Sequence, residues 1–202
     1  MKRIAITGVN VQNKTMLSKA LFYLTGYEEV RATDYPITAV KYKLNLELNH
    51  CNWQELSVYV LASFSERIEI EQQFDEFISN GSVFNELAIV KTIHAMNSHS
   101  KRKSKEQLFM LSGLEKVITE YASRQYDDII HICNADPKDT LANDIDNNLV
   151  NLIQHTGIPL YFIQKDAVLA DVFETIVNEL KISKMISPKA ALEKAQNEIL
   201  KI

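Results

Sequence analysis

The chain has 202 residues, 46% of them hydrophobic, and a formal net charge of -4. That composition suits one α/β domain with a single large core, and its acidic balance excludes a protein built to coat nucleic acid. No signal-peptide pattern opens the chain, no stretch approaches the roughly 18 apolar residues of a membrane span, and Cys51 and Cys133 form no paired motif, so a cytoplasmic protein with two reduced, buried thiols is expected.

Lys2-Arg3-Ile4-Ala5-Ile6-Thr7 reads as a short buried strand, and Leu17, Ala20, Leu21 and Leu24 mark one face of the helix after it. Between them lies Gly8-Val9-Asn10-Val11-Gln12-Asn13-Lys14-Thr15, a near match to the phosphate-binding pattern G-x-x-x-x-G-K-[ST] in the strand–loop–helix context that pattern requires. Gly8 lets the chain leave the strand sharply, and the backbone N–H groups from Asn10 to Met16 (Val11, Gln12, Asn13, Lys14 and Thr15 between) are the candidates for cradling phosphate oxygens. Lys14 would reach the β- and γ-phosphates of ATP, the Thr15 hydroxyl would ligate Mg²⁺, and the helix dipole would add positive potential. Asn13 stands where the second glycine belongs, and asparagine tolerates left-handed backbone better than most residues. The alternative is a plain polar strand-to-helix turn.

Glu28 to Thr33 reads as a second strand, and Asp34-Tyr35-Pro36 as a turn. From Ile37 to Leu48 the apolar residues fit a helical stripe and a strand alternation alike, with a helix preferred. Asn52 and Glu55 make a capping box for a long helix ending near Gln72, whose apolar face carries Trp53, Leu56, Val60, Phe64 and Ile68. Glu76 to Ser79 is a short strand ending at Asn80-Gly81-Ser82, and a helix with Phe84, Leu87, Ala88 and Ile93 follows.

A polar break is expected from His94 to Lys105, holding the basic run Lys101-Arg102-Lys103-Ser104-Lys105, which reads as a solvated loop ahead of a phosphate-covering one. A helix from Glu106 to Arg124 carries Leu108, Leu111, Glu115, Ile118 and Ala122 on one side. Ile129 to Cys133 is a buried strand of the parallel type, 134 to 148 is polar and acidic, and a helix through Leu149, Leu152 and Ile153 stops at Gly157. Pro159 to Ile163 is another buried strand, Val168 to Ile182 another helix, and Ser187-Pro188 opens a last one. The alternation predicts a doubly wound parallel sheet flanked by helices, with the Gly8, Asn80 and Asn134 loops on one edge.

These residues resemble the P-loop nucleoside and nucleotide kinases, and in particular the AAA-type ATPase/kinase domains related to the nicotinamide riboside kinase domain of NadR. The likeness is carried by Ile6-Thr7-Gly8 through Lys14-Thr15, by Phe77-Ile78-Ser79-Asn80-Gly81-Ser82, by Tyr126-Asp127-Asp128-Ile129-Ile130-His131 and by Gly157-Ile158-Pro159. It covers residues 1–182 as a kinase-like domain, with 33–73 as a helical substrate-binding insertion and 183–202 as a C-terminal helix that docks on the domain or on another copy. The resemblance implies ATP and Mg²⁺ as cofactors, phosphoryl transfer to a nucleoside-like hydroxyl, and Lys14, Arg31 and Asn80 as catalytic residues. Arg31 falls where the family often has substrate-facing charge; as a surface partner of Glu28 or Glu29 it would have no such role.

Two departures weaken that expectation. Such kinases usually carry Asp at the position of Asn80, and an amide can orient a hydroxyl but cannot take its proton or add negative charge near Mg²⁺. Glu86 and Asp34 are the candidate replacements. The lid from Asp136 to Asn148 has no arginine, and losing one such arginine can cost ~10³ or more in rate; Arg102 is a candidate substitute. The expectation is therefore an ATP-binding protein with weakened or lost phosphotransfer; the alternative is a silent nucleotide sensor or interaction protein that controls a partner through the same pocket.

Overall fold

Four largely apolar runs and the charged edge segment Glu28–Arg31, each too short to stand alone, pair into one parallel sheet. They are β1 (Arg3–Gly8), β2 (Glu28–Arg31), β3 (Phe77–Asn80), β4 (Asp128–Ile132) and β5 (Leu160–Ile163), in the order β2-β3-β1-β4-β5. The structure is a computed structural model and describes residues 2–31, 51–97, 105–133, 138–164 and 167–200. Its helices are α1 (Val11–Thr25), α2 (Trp53–Glu71), α3 (Phe84–Asn97), α4 (Lys105–Gln125), α5 (Thr140–Gln154), α6 (Leu169–Leu180) and α7 (Pro188–Ile199).

Alternate residues of a strand face opposite sides, so a sheet buried on both faces needs two cores. Ile4, Ile6, Ile78, Ile130 and Ile132 face α1, α6 and α7, where Leu17, Leu21, Leu24, Phe173, Val177 and Leu192 pack on them. Ala5, Phe77 and Ile129 face the other side, against Tyr59 and Val60 of α2, Phe84 and Leu87 of α3, Ile118 of α4 and Leu149 of α5. The last helix is tied to α1 by the buried Lys19, which pairs with Glu198 and, at 3.4 Å, with Glu29.

Registers Ile6 to Asn80 and Gly8 to Ile132 bring the C-terminal ends of β3, β1 and β4 level. From β1 the chain builds first towards β3 and then crosses to β4, so a crevice opens at the end of β1, where open α/β sheets bind ligands. Gly8 makes the turn there with φ +129°, and a Cβ on it would stand 2.3 Å from the Ile132 carbonyl oxygen. Only glycine meets both demands.

On the α2–α5 face the strand ends are polar. Thr7, Ser79 and His131 are buried there, and Glu71 lies fully buried behind Ser79. Glu71 Oε1 accepts from the Ser79 hydroxyl at 2.7 Å and the Tyr126 hydroxyl at 2.9 Å, while Oε2 accepts from the Tyr121 hydroxyl at 3.1 Å. Arg67, one turn earlier on α2, completes the pairing at 3.8 Å. The buried line of α2 is thus Leu56, Val60, Ser63, Arg67 and Glu71, whereas Phe64, expected on the core face, is only half-buried.

Other boundaries differ from the sequence expectation for identifiable reasons. α3 does not break at His94 but runs to Asn97, the buried His94 ring packing at a tilt of 57° against Trp53 with centroids 4.8 Å apart. α5 starts at Thr140, capped by Asp139 accepting from the Ala142 N–H, so most of the expected lid is helix; Ile145 and Leu149 face in, as do Asp146, 3.2 Å from the buried His131, and Asn148, which donates to the Thr92 hydroxyl at 2.8 Å. β5 is an edge strand and not a buried one, with Phe162 43% exposed. Leu108 lies exposed on α4, and Cys133 is only half-buried. The ambiguous run Ile37 to Leu48, Asp34, Arg102 with most of its basic run, and the loop at Asn134 lie outside the described residues. No described helix is long and apolar enough to cross a membrane.

Glu71→Ala should cost about 3–5 kcal/mol in urea unfolding, since it strips a buried cation of one of its counter-charges. Burial raises the Glu71 pKa against the opposing pull of Arg67 and the three hydroxyls. The folded chain therefore holds this proton more tightly than the unfolded one, so Glu71's contribution is full at low pH and is lost as pH rises through its folded-state value. Unfolding free energies of wild type and Glu71→Gln from pH 4 to about pH 7 should show the flatter profile in the variant.

Candidate functional site

The β1–α1 junction is shorter than the motif implies. Asn10 caps α1: its side-chain oxygen accepts from the Asn13 N–H at 2.9 Å, and its carbonyl accepts from the Lys14 N–H at 3.2 Å. Val11, Gln12 and Asn13 are therefore wound into the first helical turn. Asn13 does not serve as a left-handed second glycine; among the described residues Lys181 alone of the non-glycines has positive φ. The reason is local, because Asn is among the strongest N-cap residues and a capped turn outcompetes an open loop.

What the junction offers an anion is a helix start. The N–H groups of Val11 and Gln12 have no intrahelical acceptor, and the dipole is positive there. Val11, Gln12 and Asn13 are exposed; Lys14 and Thr15 are half-buried, and Met16 packs into the α1–α6 core.

The sheet brings β3 alongside. Asn80 Nδ2 donates to the Thr15 hydroxyl at 3.2 Å, so the residue expected to be catalytic touches the one expected to ligate Mg²⁺. Asn85, in the first turn of α3, braces the junction: its Oδ1 accepts from the Thr7 hydroxyl at 3.0 Å and the Ser82 N–H at 2.9 Å, and its Nδ2 donates to the Gly8 carbonyl at 3.4 Å. Arg31 stands across from Asn80 in the β2–β3 register, but its Nε donates to Glu29 at 3.1 Å. Lys14, Thr15, Asn80 and Arg31 therefore share one sheet edge.

Magnesium fits this pair in a particular way. Thr15 supplies a hydroxyl oxygen and Asn80 an amide, both neutral, and no cluster of three or more His, Cys, Asp or Glu able to hold a metal exists among the described residues. Mg²⁺ commonly keeps most of its ligands as phosphate oxygens and waters, so such a set suits an ion that arrives with the nucleotide.

Beside the strand end lies a group that the apolar pattern of α2 concealed. Arg67 is 3% exposed; its Nη1 donates to Ser79 at 3.1 Å and its Nη2 to Glu86 at 3.4 Å. Burial works against its charge, but Glu86 and Glu71 outweigh burial and keep the guanidinium protonated. The i, i+4 spacing of Arg67 and Glu71 is the one sequence signal that could have found the pair, and the reading of α2 by its apolar stripe passes over it.

No family model matches the chain, and no curated protein matches it. Among solved structures the chain is similar to a deoxyadenosine kinase from M. mycoides with bound dATP, at a TM-score of 0.63 and 13% identity, covering 89% of this chain and 99% of that one. It is similar also to a deoxyadenosine kinase from M. mycoides with the products dCMP and a flexible dCDP bound, at a TM-score of 0.51 and 13% identity, covering 99% of this chain and 100% of that one. At this identity the likeness establishes the architecture: the chain has the α/β fold of the P-loop nucleoside kinases.

Proposed function

We propose that the protein binds ATP with Mg²⁺ at the start of α1 and acts as a weak kinase on a small nucleoside-like acceptor. The observation that carries this reading is the Asn80–Thr15 contact at the end of β1, where the strand order opens a crevice. The N–H groups at the start of α1 and the Lys14 ammonium would bind the outer phosphates, and Thr15 and Asn80 would flank the metal. Mg²⁺ would supply charge neutralisation of the phosphates; the chain's own part is to orient them. Arg31 would serve the acceptor side after release from Glu29. The kinship to the NadR-type kinases, the separation of residues 1–182 from the last helix, the insertion at 33–73, a cytoplasmic location and a homo-oligomer belong to this proposal.

A second reading, a silent nucleotide sensor, is favoured by one feature. An amide at position 80 holds Thr15 but brings no negative charge. Retained ATP binding without transfer would establish it.

Mg²⁺·ATP should raise the melting temperature by mass action, and Lys14→Ala should abolish the shift while leaving the free protein folded. Equal shifts in both would put the nucleotide elsewhere. Asn10→Ala should lower the stability of the free protein by about 1 kcal/mol through loss of the cap, yet keep or tighten ATP binding because the Asn13 N–H is released. Phosphotransfer to deoxyadenosine, followed by nucleotide chromatography, should be slow in wild type and faster in Asn80→Asp. A variant slower than wild type would show that position 80 is not the limiting group.

A further inference from the structure

α4 carries two features that a helix serving only its own domain would lack. Its inward side is built from Leu111, Ile118 and Ala122. Its outward side presents Phe109, Met110, Gly113 and Val117, which helical spacing puts on one face. Phe109 is 82% exposed and Val117 55%. Single exposed apolar residues are ordinary, but a contiguous apolar stripe marks a contact surface.

Gly113 sits in the middle of that stripe. Its backbone is helical, without the positive φ of the other four glycines, and a Cβ on it would meet no atom within 4 Å among the described residues. Neither conformation nor packing inside the domain calls for glycine there, and glycine weakens the middle of a helix relative to alanine. What the missing side chain does provide is close approach from outside. Gly113 leaves a notch between Phe109 and Val117, one turn away on either side, and a second helix fills that shape.

We propose that the second helix is α4 of another copy of this chain, packed antiparallel about a two-fold axis at Gly113. In that pairing, residues equally far before and after Gly113 come to the same height. Met110 of one copy then meets Val117 of the other, and Phe109 lies over Gly113 and the stem of Lys116. The charges agree with the same register: Lys105 comes beside Glu120, and Glu106 beside Arg124. A parallel two-fold pairing would instead set each charge beside its own kind. α3 and α5, which pack on each other, take no part. One helix of 21 residues gives a small interface, so the dimer is weak and depends on concentration. The pairing supplies a surface for the homo-oligomer of the reading above and needs no nucleotide.

Analytical ultracentrifugation of the nucleotide-free chain, from about 1 µM to about 1 mM, should show a monomer–dimer equilibrium. Phe109→Asp should weaken the dimer at least about tenfold and leave the melting temperature of the dilute monomer unchanged. Gly113→Ala should raise that melting temperature while weakening the dimer, a split that a glycine serving only the helix would not produce. In a Cys133→Ser background, Glu106→Cys and Glu120→Cys chains should form a disulfide with each other when mixed and oxidised. Neither should do so alone, because the two copies of one position lie about 20 Å apart along the paired helices. A monomer at every concentration overturns the proposal and the homo-oligomer with it. A dimer whose affinity survives both Phe109→Asp and Gly113→Ala overturns the proposal and leaves a homo-oligomer through another face standing. Glu106→Cys chains that link to themselves and not to Glu120→Cys chains overturn the antiparallel register.

Discussion

A guanidinium with only a few per cent of its surface in water has to be neutralised where it stands, and the neutralisation of Arg67 organises one whole face of this protein. Its partners come from three elements: Glu71 on its own helix, Ser79 on β3 and Glu86 on α3. Glu71 is in turn held by Tyr121 and Tyr126, from α4 and the turn before β4. Removing any partner would leave a buried charge or an unpaired hydroxyl, so the elements are pinned to one another at the height of the strand ends. The position of Asn80 beside Thr15 follows from that pinning.

The two sides of the strand ends differ in chemistry. On the β1 side are an exposed helix start, Lys14 and the neutral Thr15–Asn80 pair, an arrangement that favours negative charge without supplying any. On the α2 side the charge is enclosed and already balanced, and the remaining groups are donors and one carboxylate. The first environment suits an anionic group, whereas the second is an enclosed ion pair already balanced by the protein's own side chains.

The fold was legible in the sequence because it rests on local signals. The capping box at Asn52 and Glu55 and the Ser187-Pro188 start appear as read, and the alternation of apolar runs gave the parallel sheet. The candidate site was legible only in outline. Gly8, Lys14 and Thr15 announce a phosphate loop, but Asn10 is also a strong cap, and reading the motif hid the cap. A stripe through Phe64 and Ile68 reads as the core side of α2, which gives Arg67 and Glu71 no role. Burying an ion pair depends on Ser79, Tyr121, Tyr126 and Glu86, which lie on four other stretches of chain, and no local pattern reports such an assembly.

The central claim is that the start of α1 and the end of β3 together receive the nucleotide's phosphates. Nitrogen-15 NMR titration with a magnesium complex of a non-hydrolysable ATP analogue tests it most directly. The account predicts that the largest shifts fall on the backbone amides of Val11, Gln12 and Asn13 and on the side-chain amide of Asn80. Saturable shifts elsewhere that leave these four resonances unmoved would contradict it.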